Sequence, residues 1–391
     1  MTDTFGAWEL PEELRLLQET ARRFMAEEVE PVEAQLPHDA YAAPDHLLQP
    51  LIAKAKALGI WAIRTPPEYG GAGLNMLGQV VLVEETAKCR MGQYVYAAGA
   101  LGTEPPEIIW KGTAEQIARW AVPTIEGKRK GFFAMSEPSG GSDPARALRT
   151  RAVRDGDGYV LNGSKTWITG AGRCDWGIVF ARTGDAGDRG GITAFIVDSD
   201  TPGISFNEIG VIRSYTPFDV YLSDCRIPAE NRIGEEGQGF ALGDEFFAEG
   251  RILYTASAIG GAQKALDLAI EWAKERETFG SRLADKQAIQ WMLADSEMEL
   301  RAARLLVYQA AWNCDLGKPY KVESSIAKVT GTETALRVVS RCIQIFGGLG
   351  VTHAMPLERW FRELRIKQIG EGPSEVQRLV VARHLLGKVR S

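Results

Sequence analysis

Apolar residues recur at spacings of three and four through Leu14, Leu17, Ala21 and Phe24, with Pro11 at the start of the run. The pattern predicts a helix that Pro31 and Pro37 end. A second helix is expected over roughly 46–58, stopping at Gly59, and another begins with Leu77, Val80 and Val81. Between them, 65–73 reads as a loop from its prolines and glycines. Near residue 130 the period changes. Tyr159-Val160-Leu161, Asn162-Gly163 and Lys165–Thr169 predict a hairpin. Further strands are expected at Trp176–Ala181, Thr193–Val197, Ile204–Ile209 and Phe218–Leu222. From Phe240 the helical period returns in Ile252–Arg276, Asp285–Leu316 and Glu323–Phe346. A terminal helix follows, for which Val376, Leu379, Val380, Leu385 and Leu386 give a buried stripe. The expected fold is mainly α with a central β domain. It comprises an N-terminal helical domain (1–128), a small β-barrel or sandwich (129–235) and a C-terminal four-helix bundle (236–391).

Composition narrows the class without naming a chemistry. The 391 residues are 45% hydrophobic and 25% charged, as in a globular protein with a large core. The net charge of −6 gives no electrostatic basis for nucleic acid binding. No apolar run approaches the ~20 residues a spanning helix needs. The acidic start lacks an apolar segment, so a cytoplasmic protein without a leader is expected. Five scattered cysteines predict free thiols. The histidines at 38, 46, 353 and 384 show no metal-ligand spacing, so no metal is expected.

Four stretches carry candidate chemistry. In Ile369–Arg378 the carboxylate of Glu371 lies between Gly370 and Gly372, just before a helix. Pro373 suits a first-turn position and Glu375 the positive helix end. Glycines let the backbone approach a ligand, and a carboxylate held there can act as a base. By itself the stretch equally suits a capped surface helix. Phe132–Asp143 runs an apolar strand into a loop of small residues whose N–H groups can approach a ring or a phosphate. Trp167-Ile168-Thr169 offers an indole to pack on a planar ring and a hydroxyl to reach a heteroatom. Arg276–Gly280 ends a long helix with a donor fork suited to phosphate, and Gln344–Gly348 ends another with a glycine pair. Each of these also has a plain structural reading: a surface turn, a core tryptophan, a solvated arginine and a helix stop.

Together these stretches resemble the acyl-CoA dehydrogenases. Glu371, Gly372, Ser374, Val376, Gln377 and Arg378 match that family's C-terminal segment, and Ser136–Asp143 resembles its Thr-Glu-Pro-x-x-Gly-Ser-Asp loop. The resemblance runs from about residue 10 to 386. It implies FAD as cofactor. On one subunit the implied cofactor contacts are Phe133, Met135, Ser136, Gly141, Ser142, Trp167, Ile168, Thr169, Pro373 and Glu375. From a neighbouring subunit they are Arg276, Thr278, Phe279, Gln287, Gln344, Gly347 and Gly348. Ser142, Arg251 and Gly372 are implied substrate contacts. The implied reaction is oxidation of an acyl-CoA to the trans-2-enoyl-CoA, with Glu371 taking the α-proton and flavin N5 the hydride. Glutamate, with a reference pKa of about 4.3, is a weak base for such a proton, so burial and hydrogen bonds to the thioester oxygen have to assist. A homotetramer, a dimer of dimers passing electrons to electron-transferring flavoprotein, is also implied.

The chain departs from the family pattern in places. Gly250 stands where some members carry the base, which favours Glu371, with Glu249 a minor rival. Ala248 replaces an Asp that contacts CoA, and Gly370 a Tyr that lines the acyl cavity. Gly370 either admits a bulkier acyl group or is compensated by neighbouring side chains. Alternatives are an oxidase, a CoA-thioester desulfinase and a non-catalytic flavin-binding subunit.

Overall fold

The structure is a computed structural model that describes residues 9–185 and 189–387. The chain forms two compact units. The first comprises residues 1–63, 74–101 and 248–391, and the second 64–73 and 102–247.

The first unit is helical. Helix α1 spans Glu12–Phe24, α2 Asp45–Ala57 and α3 Met76–Thr86. Pro31 does not end the first helix as expected. The chain passes through one π-turn, Met25–Val29, and stays helical to Glu33, with Pro31 in the first turn of that last segment. The wider turn accommodates the missing N–H and the ring, which would otherwise meet the carbonyl four residues back. Asn75 caps α3, its Oδ1 accepting from Gly78 N at 3.0 Å. Every residue of α3 is buried, so it is a core helix rather than an amphipathic one.

The C-terminal part contains α4 (Gly239–Glu275), α5 (Gln287–Asp315), α6 (Lys321–Phe346), α7 (Leu357–Lys367) and α8 (Ser374–Leu386). The boundary between the two units falls inside α4, between Phe247 and Ala248. The sequence pattern had not shown α7. Leu357, Trp360, Phe361 and Leu364 do recur at helical spacing, but the buried face also carries Arg359, Glu363 and Lys367. The stripe expected on α8 is also corrected. Leu379, Leu385 and Leu386 are exposed, and Ser374 and Gln377 are the buried residues. Pro373 occupies the N-cap position rather than the first turn.

The second unit holds an eight-stranded sheet in the order β6-β7-β3-β2-β4-β5-β8, with β1 beside β4. Its strands are β1 (Gly131–Ala134), β2 (Arg151–Asp155), β3 (Gly158–Thr169), β4 (Trp176–Arg182), β5 (Ile192–Asp198), β6 (Ile204–Glu208), β7 (Pro217–Pro228) and β8 (Arg232–Ile233). Alternate residues of β4 enter two cores. Val179 and Ala181 join Phe132, Phe195 and Val220. Trp176, Ile178 and Phe180 join Trp120 and Ile196. Burial on both faces explains why β4 and β5 read as unbroken apolar runs.

The hairpin predicted at Asn162-Gly163 is absent. Both predicted arms belong to one strand, β3, which pairs with β2 and β7. Gly163 marks an irregularity in the register, where a Cβ would lie 2.5 Å from Thr150 Oγ1. Its glycine therefore serves a bulge and a close backbone approach, not a turn.

Candidate active site

In the second unit, the loop after β1 is anchored by a buried ion pair. Lys165 Nζ donates to Glu137 Oε1 at 2.7 Å and to Met135 O at 3.2 Å. Glu137 also accepts from Arg149 N at 2.6 Å and Thr150 N at 2.9 Å. Thr166 N donates to Ser136 O at 2.9 Å, tying the loop to β3. Burial pushes the Lys165 ammonium down to about 8, with Glu137 opposing. Burial alone would raise the Glu137 carboxyl, but Lys165 and Thr150 hold it below its ordinary range. The pair is therefore charged at neutral pH.

The predicted residues around this anchor differ in burial. Met135 and Ile168 are buried, while Gly141, Ser142 and Trp167 are exposed. Phe133 packs in a ring cluster, 4.9 Å from Phe180 and 5.1 Å from Phe246. Trp167 has φ +62 at an irregularity of the β3–β7 register, and 60% of its surface is exposed. Thr169 Oγ1 accepts from Arg213 at 2.9 Å. Lys165 and Arg213 were not read from sequence. A lysine in an alternating strand resembles any solvated position until its partner is known.

In the first unit, two motifs far apart in sequence lie together. Trp272, near the end of α4, stacks on Phe346, at the end of α6, with centroids 5.2 Å apart. This joins the Arg276–Gly280 turn to Gln344–Gly348. The turn is a two-residue hairpin between Glu277-Thr278 and Ser281-Arg282. Phe279 and Gly280 both have positive φ, +51 and +75. Phe279 is fully exposed, and Arg276, Gln287, Gln344, Gly347 and Gly348 are exposed. A Cβ on either Gly347 or Gly348 would meet nothing within 4 Å.

The Glu371 turn is gripped by its carbonyls. Glu371 itself is exposed and has φ +56, a strained value for a residue with a side chain. Its backbone oxygen accepts from Arg251 Nε at 3.1 Å and Gln377 Nε2 at 3.3 Å. Gln377 also donates to Gly372 O, and Ser325 Oγ donates to Gln377 Oε1 at 2.8 Å. Lys328, fully buried, donates to Gln368 O at 3.0 Å. Burial pushes the Lys328 ammonium down to about 8, with Glu371 opposing. A Cβ at Gly250 would lie 3.8 Å from Glu371 Oε2, so helix α4 leaves room for that carboxylate. The rival Glu249 accepts from Tyr320 at 3.3 Å. Glu375 is exposed and Pro373 half-buried. Ala248 is buried and offers no polar group.

Elsewhere in the first unit, His38, His353 and Glu358 bring potential ligand atoms within 4.8 Å of one another. The two rings stack at 4.4 Å, and Arg362 donates to both Glu358 oxygens. A carboxylate shared with a guanidinium is a poor seat for a cation.

Family descriptions match the chain in three consecutive blocks: acyl-CoA dehydrogenase N-terminal domain at 11–128, middle domain at 132–218 and C-terminal domain at 237–386. The chain belongs to the acyl-CoA dehydrogenase family. The mouse mitochondrial short-chain specific acyl-CoA dehydrogenase is 39% identical, with 98% of this chain and 92% of that protein covered. The caffeyl-CoA reductase-Etf complex subunit CarC of Acetobacterium woodii is also 39% identical, over 87% of this chain and 90% of that protein. Butyryl-CoA dehydrogenase from Megasphaera elsdenii has a similar solved structure. Its TM-score is 0.84 at 34% identity, and 97% of this chain and 99% of that chain are covered. The chain is thus an oxidoreductase of an FAD-dependent family with helical, β and helical domains. Its residues fit that cofactor. An exposed indole and an anchored loop lie in one unit, and an exposed arginine and open glycines, joined through Trp272 and Phe346, lie in the other. No helix of the described residues is long and apolar enough to cross a membrane.

Proposed function

We propose that the protein dehydrogenates a short-chain acyl-CoA thioester between Cα and Cβ, with Glu371 as the α-proton base. The observation that carries this reading is the Glu371 turn. A strained carboxylate-bearing residue is fixed through its backbone by Arg251 and Gln377, while Gly250 keeps the facing helix clear of its side chain. Bound FAD supplies the hydride acceptor. Its isoalloxazine end would be held by Met135, Ser136, Ser142 and the Trp167–Thr169 segment. Its adenosine and pyrophosphate end would be held by Arg276, Thr278, Phe279, Gln287, Gln344, Gly347 and Gly348 of a second copy. On this reading the chain works as a homotetramer and passes its electrons to electron-transferring flavoprotein; the name of the Acetobacterium relative pairs that protein with an Etf.

Glu371 is exposed in the chain, so an apolar acyl group laid against it supplies the desolvation that strengthens the base. On this reading the Glu371 N–H would donate to the thioester oxygen, stabilising charge as the α-proton leaves. The name of the Acetobacterium relative also supports the reverse direction, reduction of an enoyl-CoA, which uses the same residues. The test is anaerobic mixing of the purified flavoprotein with straight, branched and cyclic acyl-CoAs while the visible flavin band is followed. Bleaching by a short straight acyl-CoA is expected. A flavin-loaded protein that no acyl-CoA bleaches, and whose reduced form no enoyl-CoA reoxidises, refutes the assignment.

A further inference from the structure

Helix α4 meets the Glu371 turn with one face, formed by Gly250, Arg251 and Tyr254. Residues 250 and 254 are one helical turn apart and lie on the same side. Across this contact small residues face large ones. Gly250 on the helix faces the Glu371 carboxylate, and Gly370 on the turn faces Tyr254. A Cβ at 370 would lie 2.5 Å from the Tyr254 hydroxyl oxygen, closer than such atoms approach. Gly370 is not among the residues with positive φ, so its backbone does not demand a glycine. The demand is steric and comes from Tyr254.

The Tyr254 ring is also held in place. Lys367 Nζ lies 4.0 Å from its centroid, and the Tyr94 ring meets it edge-on at 6.4 Å. Lys367 is itself buried and donates to Tyr254 O at 3.0 Å and Ser257 Oγ at 2.6 Å. A ring clamped in this way acts as a fixed wall. The room that Gly370 suggests from sequence is therefore occupied.

We infer that Tyr254 is a specificity-determining residue: its hydroxyl end narrows the space beside Glu371, admitting acyl groups unbranched at Cα and Cβ and rejecting those branched there. This rests on Glu371 as the base. The carbon whose proton reaches Glu371 lies next to Gly370, and a branch at that carbon or its neighbour meets Tyr254.

The experiment compares butyryl-CoA with isobutyryl-CoA and isovaleryl-CoA. It measures kcat/KM in the active protein and, in a Glu371→Gln background, affinity from the change in the visible flavin band. Tyr254→Ala raises the branched-to-straight ratio by about tenfold or more, the discrimination that one methyl group commonly carries. Tyr254→Phe keeps the ring and shifts the ratio in the same direction by less. Gly370→Ala weakens binding of every acyl-CoA when Tyr254 is present and is tolerated in the Tyr254→Ala protein. Unchanged ratios in flavin-loaded Tyr254→Ala and Tyr254→Phe overturn the inference, as does a Gly370→Ala penalty that is the same with and without Tyr254. The binding arm needs no turnover. A shifted affinity ratio without bleaching in any protein upholds the role of Tyr254 and sinks the dehydrogenation reading instead.

Discussion

The Ser136–Glu137 loop and the Glu371 turn are held by opposite means. In the loop, a side-chain charge is buried and paired: Glu137 accepts from Lys165, Arg149 and Thr150. In the turn, the hydrogen bonds from Arg251, Gln377 and Lys328 grip backbone oxygens, and the carboxylate of Glu371 projects to an exposed position. A loop that only has to present a surface can bury its acid as an anchor. A turn that has to present an acid is held through its backbone, which fixes its position without burying the carboxylate.

This contrast is broken most sharply at the two glutamates. Glu371→Gln should lower turnover by at least 10²–10⁴-fold, the usual range for a general base. It should leave thermal unfolding and flavin content near wild type. Steady-state kinetics beside a melting curve checks both halves, and a large stability loss would show that this carboxylate is structural after all. Lys165→Met should do the reverse. Leaving Glu137 buried without its partner costs about 3–5 kcal/mol. Denaturant unfolding should report that loss together with poor flavin retention, and a Lys165→Met, Glu137→Gln double variant should recover part of it.

Gln377→Ala tests the backbone grip. It removes the donors to Glu371 O and Gly372 O, a loss of about 1–3 kcal/mol, while Ser325 keeps its hydrogen bond to Lys321 O. It should reduce kcat with little change in flavin affinity. Equal loss of both would blur the distinction between turn and loop. The last effect is in the pH dependence. Lys328 titrates near 8 when folded against 10.5 as its ordinary value. Between these values the unfolded chain holds the extra proton, so this residue's contribution rises with pH, by at most about 1.4 kcal/mol per unit, and is lost as pH falls through 8. Lys328→Met should remove that slope from stability measured between pH 8 and 10.5. An identical slope in the variant would place the titration elsewhere.

Much of the fold was legible because long helices and buried strands write their period into the chain. The failures have specific causes. Helix α7 keeps helical spacing in Leu357, Trp360, Phe361 and Leu364, but Arg359, Glu363 and Lys367 on its buried face lower its mean hydropathy. The α8 stripe misleads because Leu379, Leu385 and Leu386 are apolar yet exposed. Asn162-Gly163 has turn composition, but Thr150 lies against Gly163 and makes it a bulge. For the site, the base candidate, the loop and the two helix-end motifs could be picked out by composition and order. Lys165, Arg213, Trp272, Lys328 and Tyr254 could not, since each acquires meaning from a neighbour distant in the chain.

The sequence by itself determined the helical, β, helical order, the family and the carboxylate between two glycines. These are local patterns, readable because backbone period, turn chemistry and motif spacing are properties of neighbouring residues. Only the tertiary structure decided what surrounds that carboxylate. Gly370 is the clearest case. Alone it reads as added room or as nothing, and in the folded chain it is the complement of Tyr254 on a helix 116 positions earlier. Close packing lets one side chain take the volume another gives up, and no local pattern records which of the two has it.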